Sequence, residues 1–397
     1  MSEQKKKGKL SFFALDPKCD KYINWAVALL LLIGTFTIVS TNVGKTTYAP
    51  NIVPKVIVKQ CIFCVCGYIA MWFMNRFFRF RWYSKIEWCI VPLCLFIMIL
   101  PFAFPEIGGS HAWIQIAGIS LQPSEFAKPL LLIICATCLY RAKKKSIMLK
   151  EKGRLFKRAW AAFICICIIV LFQKDTGTAV IIGFIFISCI MIPKYPVLQH
   201  IQRVLKVLIS GVVLFGFTNI GNEILKHTSF AHIAVRVENF KDPYNDVYGD
   251  GYQPANSLYG IASSNIVGKG IGNSARKYGY LTQADNDYIL AVLIEETGIF
   301  GLFGLVILYG IIEFRLFYYA FKTSEYMYKI ILGGAGVYLF MHFFLNAGGV
   351  ASLIPFTGVP LLFISSGGTS LISIMLTMGL AQNCICAIRR REMDRLS

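Results

Sequence analysis

Asp285 and Asp287 stand two residues apart at the head of the stretch ADNDYILAVLIEETGIFG, and Glu295 and Glu296 follow inside the same apolar run. A carboxylate so placed can act as a general base or can simply cap a helix, and the spacing leaves both roles open. A second group is QPSEFAK, where Glu125 and Lys128 are three apart and share a helix face, as a substrate contact or as a mutually neutralising pair. A third is QKDTGTA, with Asp175 beside two threonines and a glycine, either meeting substrate or capping the next helix. Lys55 and Lys59 form the fourth, as anion ligands or as snorkelling side chains. Together with Lys174 and Arg236, these residues mix cations with acids, which suits an anionic lipid headgroup undergoing acid–base chemistry; a proton-coupled transporter would use the same set.

The elements that must position these groups are membrane helices. Hydrophobic residues make up 56% of the chain. The apolar runs do not alternate in polarity, so they read as helices and not as barrel strands. The sequence predicts an all-α polytopic membrane protein of about ten transmembrane helices. They are expected near 23–43, 54–74, 87–103, 122–140, 159–172, 177–192, 204–220, 288–314, 329–345 and 369–388. The first run lacks a small-residue cleavage site and reads as a retained helix. A basic tail over 1–22 precedes this 23–388 domain, and a second basic tail, 389–397, follows it.

The formal net charge of +19 raises the question of nucleic acid, and the placement of the charges answers it. With both termini in the cytoplasm, 29 of the 40 Lys and Arg fall on cytoplasmic segments or the helix ends that adjoin them, and 8 on outer ones. That asymmetry is the positive-inside pattern, so the basic run from Arg141 to Arg158 is expected to face anionic lipid, and no nucleic acid is expected. Of the 13 cysteines none falls in an expected outer loop, so no disulfide framework is expected, and Cys61 and Cys64 read as packing residues within a helix. No GxxxxGK[ST] motif is present, and GKGIGN at 268–273 follows no strand; neither points to a nucleotide site. The one long connection, 219–287, is read as an outer loop of short surface helices and turns carrying function; a polar stretch over 346–368 is expected to help cap the same cavity.

The segments WIQIAGISLQPSEFAK, QKDTGTA, RVENFKDPYNDVYGDGYQPANS, GKGIGNS, DNDYILAVLIEETGIFG and LIPFTGVPLLFISSGGTSL, in this order, resemble the SEDS family of shape, elongation, division and sporulation proteins, typified by RodA, FtsW and SpoVE. The resemblance covers nearly the whole chain after its basic start. It implies a peptidoglycan glycosyltransferase that joins lipid II disaccharides through β-1,4 bonds at the outer face of the bacterial cytoplasmic membrane. Asp287 matches the family's catalytic aspartate. Lys59, Trp113, Glu125, Lys128, Asp175, Arg236, Gln253, Ser257 and Glu296 carry over as candidates for substrate binding. Basic side chains, or a divalent cation such as magnesium or manganese, are expected to stabilise the departing pyrophosphate, with no organic cofactor. The implied partners are lipid II, the growing glycan strand and a class B penicillin-binding protein, since this chain has no apparent transpeptidase domain. Departures fall beside the key positions: Asp285 where the family usually has His, Tyr288 for Phe, and His111–Ala112 before Trp113 where Arg is usual. A lipid II flippase and an inactive scaffold of a wall-synthesis complex are the competing functions.

The charge asymmetry makes a topological prediction. In a background without the native cysteines, a single cysteine at Tyr244 should react with an impermeant thiol reagent in intact cells, and one at Ser397 should not. The reverse pattern would invert the topology.

Overall fold

The structure is a computed structural model that describes residues 15–47, 49–116, 119–144, 155–216, 236–237, 240–244, 246–249 and 251–396. Expectations for the 1–14 tail, for 145–154 of the basic run, for 217–235 and Asp250 of the long loop, and for Ser397 lie outside the described residues.

The described residues form ten long helices and one short one. They are α1 Lys21–Val43, α2 Ile52–Phe77, α3 Phe80–Ile99, α4 Ser124–Lys144, α5 Lys157–Phe172, α6 Thr176–Met191, α7 Gln199–Gly216, the short α8 Tyr252–Ala262, α9 Ile289–Lys322, α10 Tyr326–Val350 and α11 Gly368–Leu396. Six of them, α1, α2, α3 (continued to Ala103), α9, α10 and α11, are long and apolar enough to cross a membrane, which makes this a multi-pass membrane protein. A small hairpin that the apolar pattern does not announce pairs β1 Ile114–Ile116 antiparallel to β2 Ile119–Leu121 just before α4.

Burial sorts the helices into centre and rim. The most apolar stretches of α11 and α10 are 78% and 72% buried, against 28% for α2 and 17% for α3, so α10 and α11 form the middle of the bundle and α3 lies at its edge. Helix α11 runs along α2, α9 packs between α1 and α10, and α10 also packs on α4 and α6. One end of the bundle is tied by Asp20. Its carboxylate caps α1 by accepting from Tyr22 N at 3.0 Å and Ile23 N at 3.2 Å, and also takes Arg315 Nε from α9 at 3.0 Å and Arg389 Nη2 from α11 at 3.1 Å. Gln382 closes the joint, accepting from Asp20 N at 2.8 Å and donating to Asp20 O at 2.9 Å.

Several boundaries differ from the sequence expectation, the last helix for example running to Leu396 rather than 388. The third helix starts at Phe80 rather than near 87, and the eighth long helix runs to Lys322. With no glycine or proline between Leu281 and Thr297, that helix is also expected to reach back to Asp287, yet 282–288 are turns. Asn286 N and Tyr288 N both donate to Gln283 O, and Ser366 N takes Asp285 O, so the backbone that a helix would use is engaged elsewhere.

Helix α9 is also interrupted at Gly298, whose φ of 66° and ψ of −157° are open essentially to glycine alone. The 266–270 strand of the GKGIGN loop lies against this break. Lys269 N donates to Glu295 O at 2.9 Å, Gly270 N to Glu296 O at 3.0 Å, and Ile299 N to Ile266 O at 3.0 Å. Gly268 and Gly298 face each other there: a Cβ on Gly298 would lie 2.3 Å from Ile266 O and 2.5 Å from Gly268 N. Gly298→Ala should therefore destabilise the fold by about 1–3 kcal/mol from backbone strain alone. Gly304→Ala, on the same helix with nothing within 4 Å, should be neutral or mildly stabilising. Melting temperatures of the purified proteins in detergent decide it, and equal values for the two variants would remove the strain argument.

Candidate functional site

Turns and loops at one end of the bundle enclose a cavity of about 710 Å³. Its walls come from the segment before β1, the α5–α6 hairpin, the start of α8, the turn before α9 and the 352–360 stretch after α10. Of the sequence candidates, Asp287, Trp113, Glu125, Asp175, Arg236 and Gln253 line it.

Asp287 sits in the turn that opens α9. Its carbonyl accepts from Asn346 Nδ2 of α10 at 2.8 Å, and the same amide holds Val359 O at 2.8 Å. The next residue, Tyr288, stacks on Phe356 with ring centroids 4.4 Å apart. On the other side, Ser365 Oγ holds Asn286 O at 2.7 Å. The backbone of Asp287 is thus fixed from α10 and from 356–366, while its side chain points into the cavity with Oδ1 buried and unpartnered. Removal from solvent raises its pKa to about 7; Arg236 opposes this, and the carboxylates of Asp285 and Asp175 add to it. Gln253 Oε1 and Thr357 Oγ1, also on the wall, lack partners as well. Buried polar atoms left open on one cavity suit a polar ligand.

Asp175 caps the next helix and also lies on the cavity wall. Its Oδ1 accepts from Thr178 N at 3.1 Å as the cap of α6, its Oδ2 accepts from Gln122 Nε2 at 2.6 Å, and it lines the cavity. Lys174 before it has a φ of 60°, which makes the hairpin tight enough to bring both residues to the wall.

The pair predicted from QPSEFAK is formed, at full burial. Lys128 Nζ lies 2.6 Å from Glu125 Oε1 and 3.0 Å from His342 Nε2. His342 Nδ1 is 3.1 Å from Pro360 O, so Nδ1 carries the hydrogen and Nε2 accepts from the lysine. Tyr338 donates to Glu125 Oε2 at 3.3 Å. Glu125 and His342 face the cavity and Lys128 stands behind them, its charge taken by the glutamate.

The remaining candidates lie elsewhere. Lys59 is half-buried on α2, away from the cavity wall. Ser257 donates to Val350 O at 2.8 Å, tying α8 to α10. Glu296 accepts from Ser40 Oγ at 2.6 Å and pairs with Lys277 at 3.3 Å. Two wall residues absent from the sequence candidates, His342 and Gln122, are found only through contacts; a lone histidine in an apolar helix is the signal that could have marked the first. The described residues contain no group of three or more His, Cys, Asp or Glu able to hold a metal ion.

Comparison with known proteins matches residues 21–389 to the FtsW/RodA/SpoVE family model, described as cell cycle protein. The chain is 30% identical over 380 residues to the probable peptidoglycan glycosyltransferase FtsW of Bacillus subtilis, covering 94% of this chain and 92% of that one. It is 28% identical to the stage V sporulation protein E of the same organism, covering 89% and 93%. Among solved structures, a chain from the study "Structural coordination of polymerization and crosslinking by a peptidoglycan synthase complex" shares the fold with a TM-score of 0.69 at 22% identity, over 94% of this chain and 98% of that one. The rod shape determining protein RodA of Thermus thermophilus shares it with a TM-score of 0.58 at 21% identity, over 94% and 97%. With 369 consecutive residues matched by the family model, this chain belongs to the FtsW/RodA/SpoVE family, known as SEDS.

Proposed function

We propose that the chain is a peptidoglycan glycosyltransferase that polymerises lipid II, with Asp287 as its general base. The observation that carries this reading is a recessed carboxylate with an open oxygen, on a cavity that also holds Arg236. The reaction needs one base. Asp287 takes the proton of the acceptor sugar 4-hydroxyl, whose oxygen forms the new bond to the donor anomeric carbon. The bond from that carbon to the pyrophosphate oxygen breaks, and the undecaprenyl pyrophosphate departs as an anion. Because the donor linkage is α and the product is β, a single displacement inverts the centre and no covalent enzyme intermediate is required. Arg236 and Lys174 on the wall are the cations offered to the leaving group.

Trp113, Gln253, Glu125 and Asp175 are assigned to holding the sugar and peptide portions. Lys128 acts through Glu125, and Ser257 and Glu296 act by holding the frame. The flippase reading has less support, since the buried Glu125–Lys128–His342 group lies directly under the cavity and the Asp20 joint closes the far end of the bundle. The topology proposed is ten spans, both termini cytoplasmic and the cavity opening outward, in the bacterial cytoplasmic membrane.

The partner proposed is a single-span class B penicillin-binding protein, docking on α9 and α10. Exposed Phe314, Phe340 and Phe344, with open space at Gly310, support that face. The synthase-complex neighbour joins polymerization to crosslinking in its own description, which supports the pairing.

Purified protein with labelled lipid II tests the function: glycan strands support a polymerase, and transbilayer movement without strands supports a flippase. Asp287→Asn should lower polymerisation by about 100-fold or more at unchanged membrane insertion. Asp285→Asn should cost far less. Wild-type rates for Asp287→Asn would end the assignment and turn attention to Asp175.

The rate should also rise with pH through about 7, where the base ionises. Stability should move the opposite way. The pKa of about 7 in the fold exceeds the ordinary 3.8, so the folded chain holds the extra proton between those values and loses stability as pH rises through that window. A flat rate from about pH 5.5 to about pH 8 would contradict a base of this kind.

A further inference from the structure

The loop over 264–273, which contains GKGIGN, carries apolar side chains that are exposed and that no described contact covers. Ile266, Val267 and Ile271 are 67%, 72% and 78% exposed. Their depth follows from the register with α9. Arg315, bound to Asp20 at the far end, is 17 residues from Gly298, which at 1.5 Å per residue places Gly298 roughly 25 Å away along the helix. The hydrocarbon of a bilayer is about 30 Å thick, and any tilt brings Gly298 deeper. Ile266 O bonds to Ile299 N and Gly270 N to Glu296 O, so the loop lies at the same level.

Lateral placement agrees with this depth. Phe300 and Phe303, immediately past the break, are 65% and 55% exposed on the outer surface of α9, and Ile266 is bonded to the residue before Phe300. The loop therefore extends the lipid-facing band of that helix. Non-helical backbone at such depth requires partners from the protein, and the unwound turn at Gly298 supplies them. The one charged residue of 264–272, Lys269, is neutralised by the protein: its Nζ meets Glu295 Oε1 at 2.6 Å, and the neighbouring Lys277 pairs with Glu296 at full burial.

We propose that residues 264–272 form a re-entrant anchor seated among the acyl chains of the leaflet on the Asp287 side of the membrane. Its effect on catalysis rests on the function proposed above. The unbroken first part of α9, Ile289 to Thr297, connects the anchor to Asp287, so seating the loop fixes the height of the carboxylate relative to the lipid surface where the substrate headgroup lies.

The test places an environment-sensitive fluorescent amino acid at Val267 in the otherwise unaltered chain, reconstituted in liposomes. Tyr248, 94% exposed in the same connection, is the aqueous reference. Lipids brominated on their acyl chains should quench position 267 several-fold more strongly than position 248, and iodide should do the reverse. Iodide quenching of position 267 equal to that of 248 overturns the proposal. Shielding from both quenchers also overturns it, since a protein surface and not lipid would then cover the loop. The same label at Ile271 repeats the measurement if position 267 does not accept it. Neither lipid II nor turnover enters this readout, so it can fail while the polymerase reading stands, and the reverse.

Discussion

A charge at membrane depth has no water to solvate it, so it must find its counter-charge inside the protein, and the bundle is organised around the places where that happens. Asp20 joins α1, α9 and α11 through Arg315 and Arg389. Glu125 and Lys128 join α4 to α10 through His342. Glu295 and Glu296 join α9 to the long loop and, through Ser40, to α1. Each joint includes residues far apart in sequence, so the helices cannot slide without uncovering a buried charge. Breaking one such pair costs about 3–5 kcal/mol, a large fraction of the stability of any domain.

Asp287 differs because its surroundings leave an oxygen open. The carbonyls of Asn286 and Asp287 are fixed by Ser365 and Asn346 and the next side chain, Tyr288, is stacked on Phe356, whereas the carboxylate feels Coulomb forces from Arg236, Asp285 and Asp175. A rigid backbone under a free side-chain atom is how a site can be preorganised and still be reactive. The interruption of α9 contributes to the same end. If the helix continued straight through Gly298 with no loop against it, its first turns would lose the backbone ties to Ile266, Lys269 and Gly270, and Asp287 would be held by Asn346, Ser365 and the Tyr288 stack alone.

Much of this was legible in the chain. Ten long helices, the Glu125–Lys128 pair, the capping role of Asp175 and the cluster of Asp287, Trp113, Arg236 and Gln253 follow from run lengths, spacing and family motifs. The break at Gly298 was not, because ILAVLIEETGIFGLFG has helical composition throughout and one glycine does not stop a helix in an apolar setting. Its cause is the distant Gly268, and no local pattern reports a partner thirty residues away. For the same reason Ser257 and Glu296 read as site residues: both are polar at a motif, yet their partners, Val350 O and Lys277 with Ser40, become visible only when the elements are packed. Of the two readings left open for Lys128, substrate contact or half of a pair, the pair is formed, and its place behind the cavity wall depends on how α10 sets His342 beside it.

Asp285 shows how a departure from the family pattern is absorbed. An acid two residues away raises the energy of the ionised Asp287, and alone it would keep more of that carboxyl protonated. Lys45 answers it: its ammonium lies 3.1 Å from Asp285 Oδ2, and Asn42 Nδ2 approaches the same oxygen at 3.4 Å. Both come from the end of α1 and the turn after it, on the side of Asp285 away from the cavity wall, so the compensating charge does not occupy the site. The second acid is thereby turned into another tie between α1 and the α9 entrance, while Arg236 remains the cation that faces Asp287.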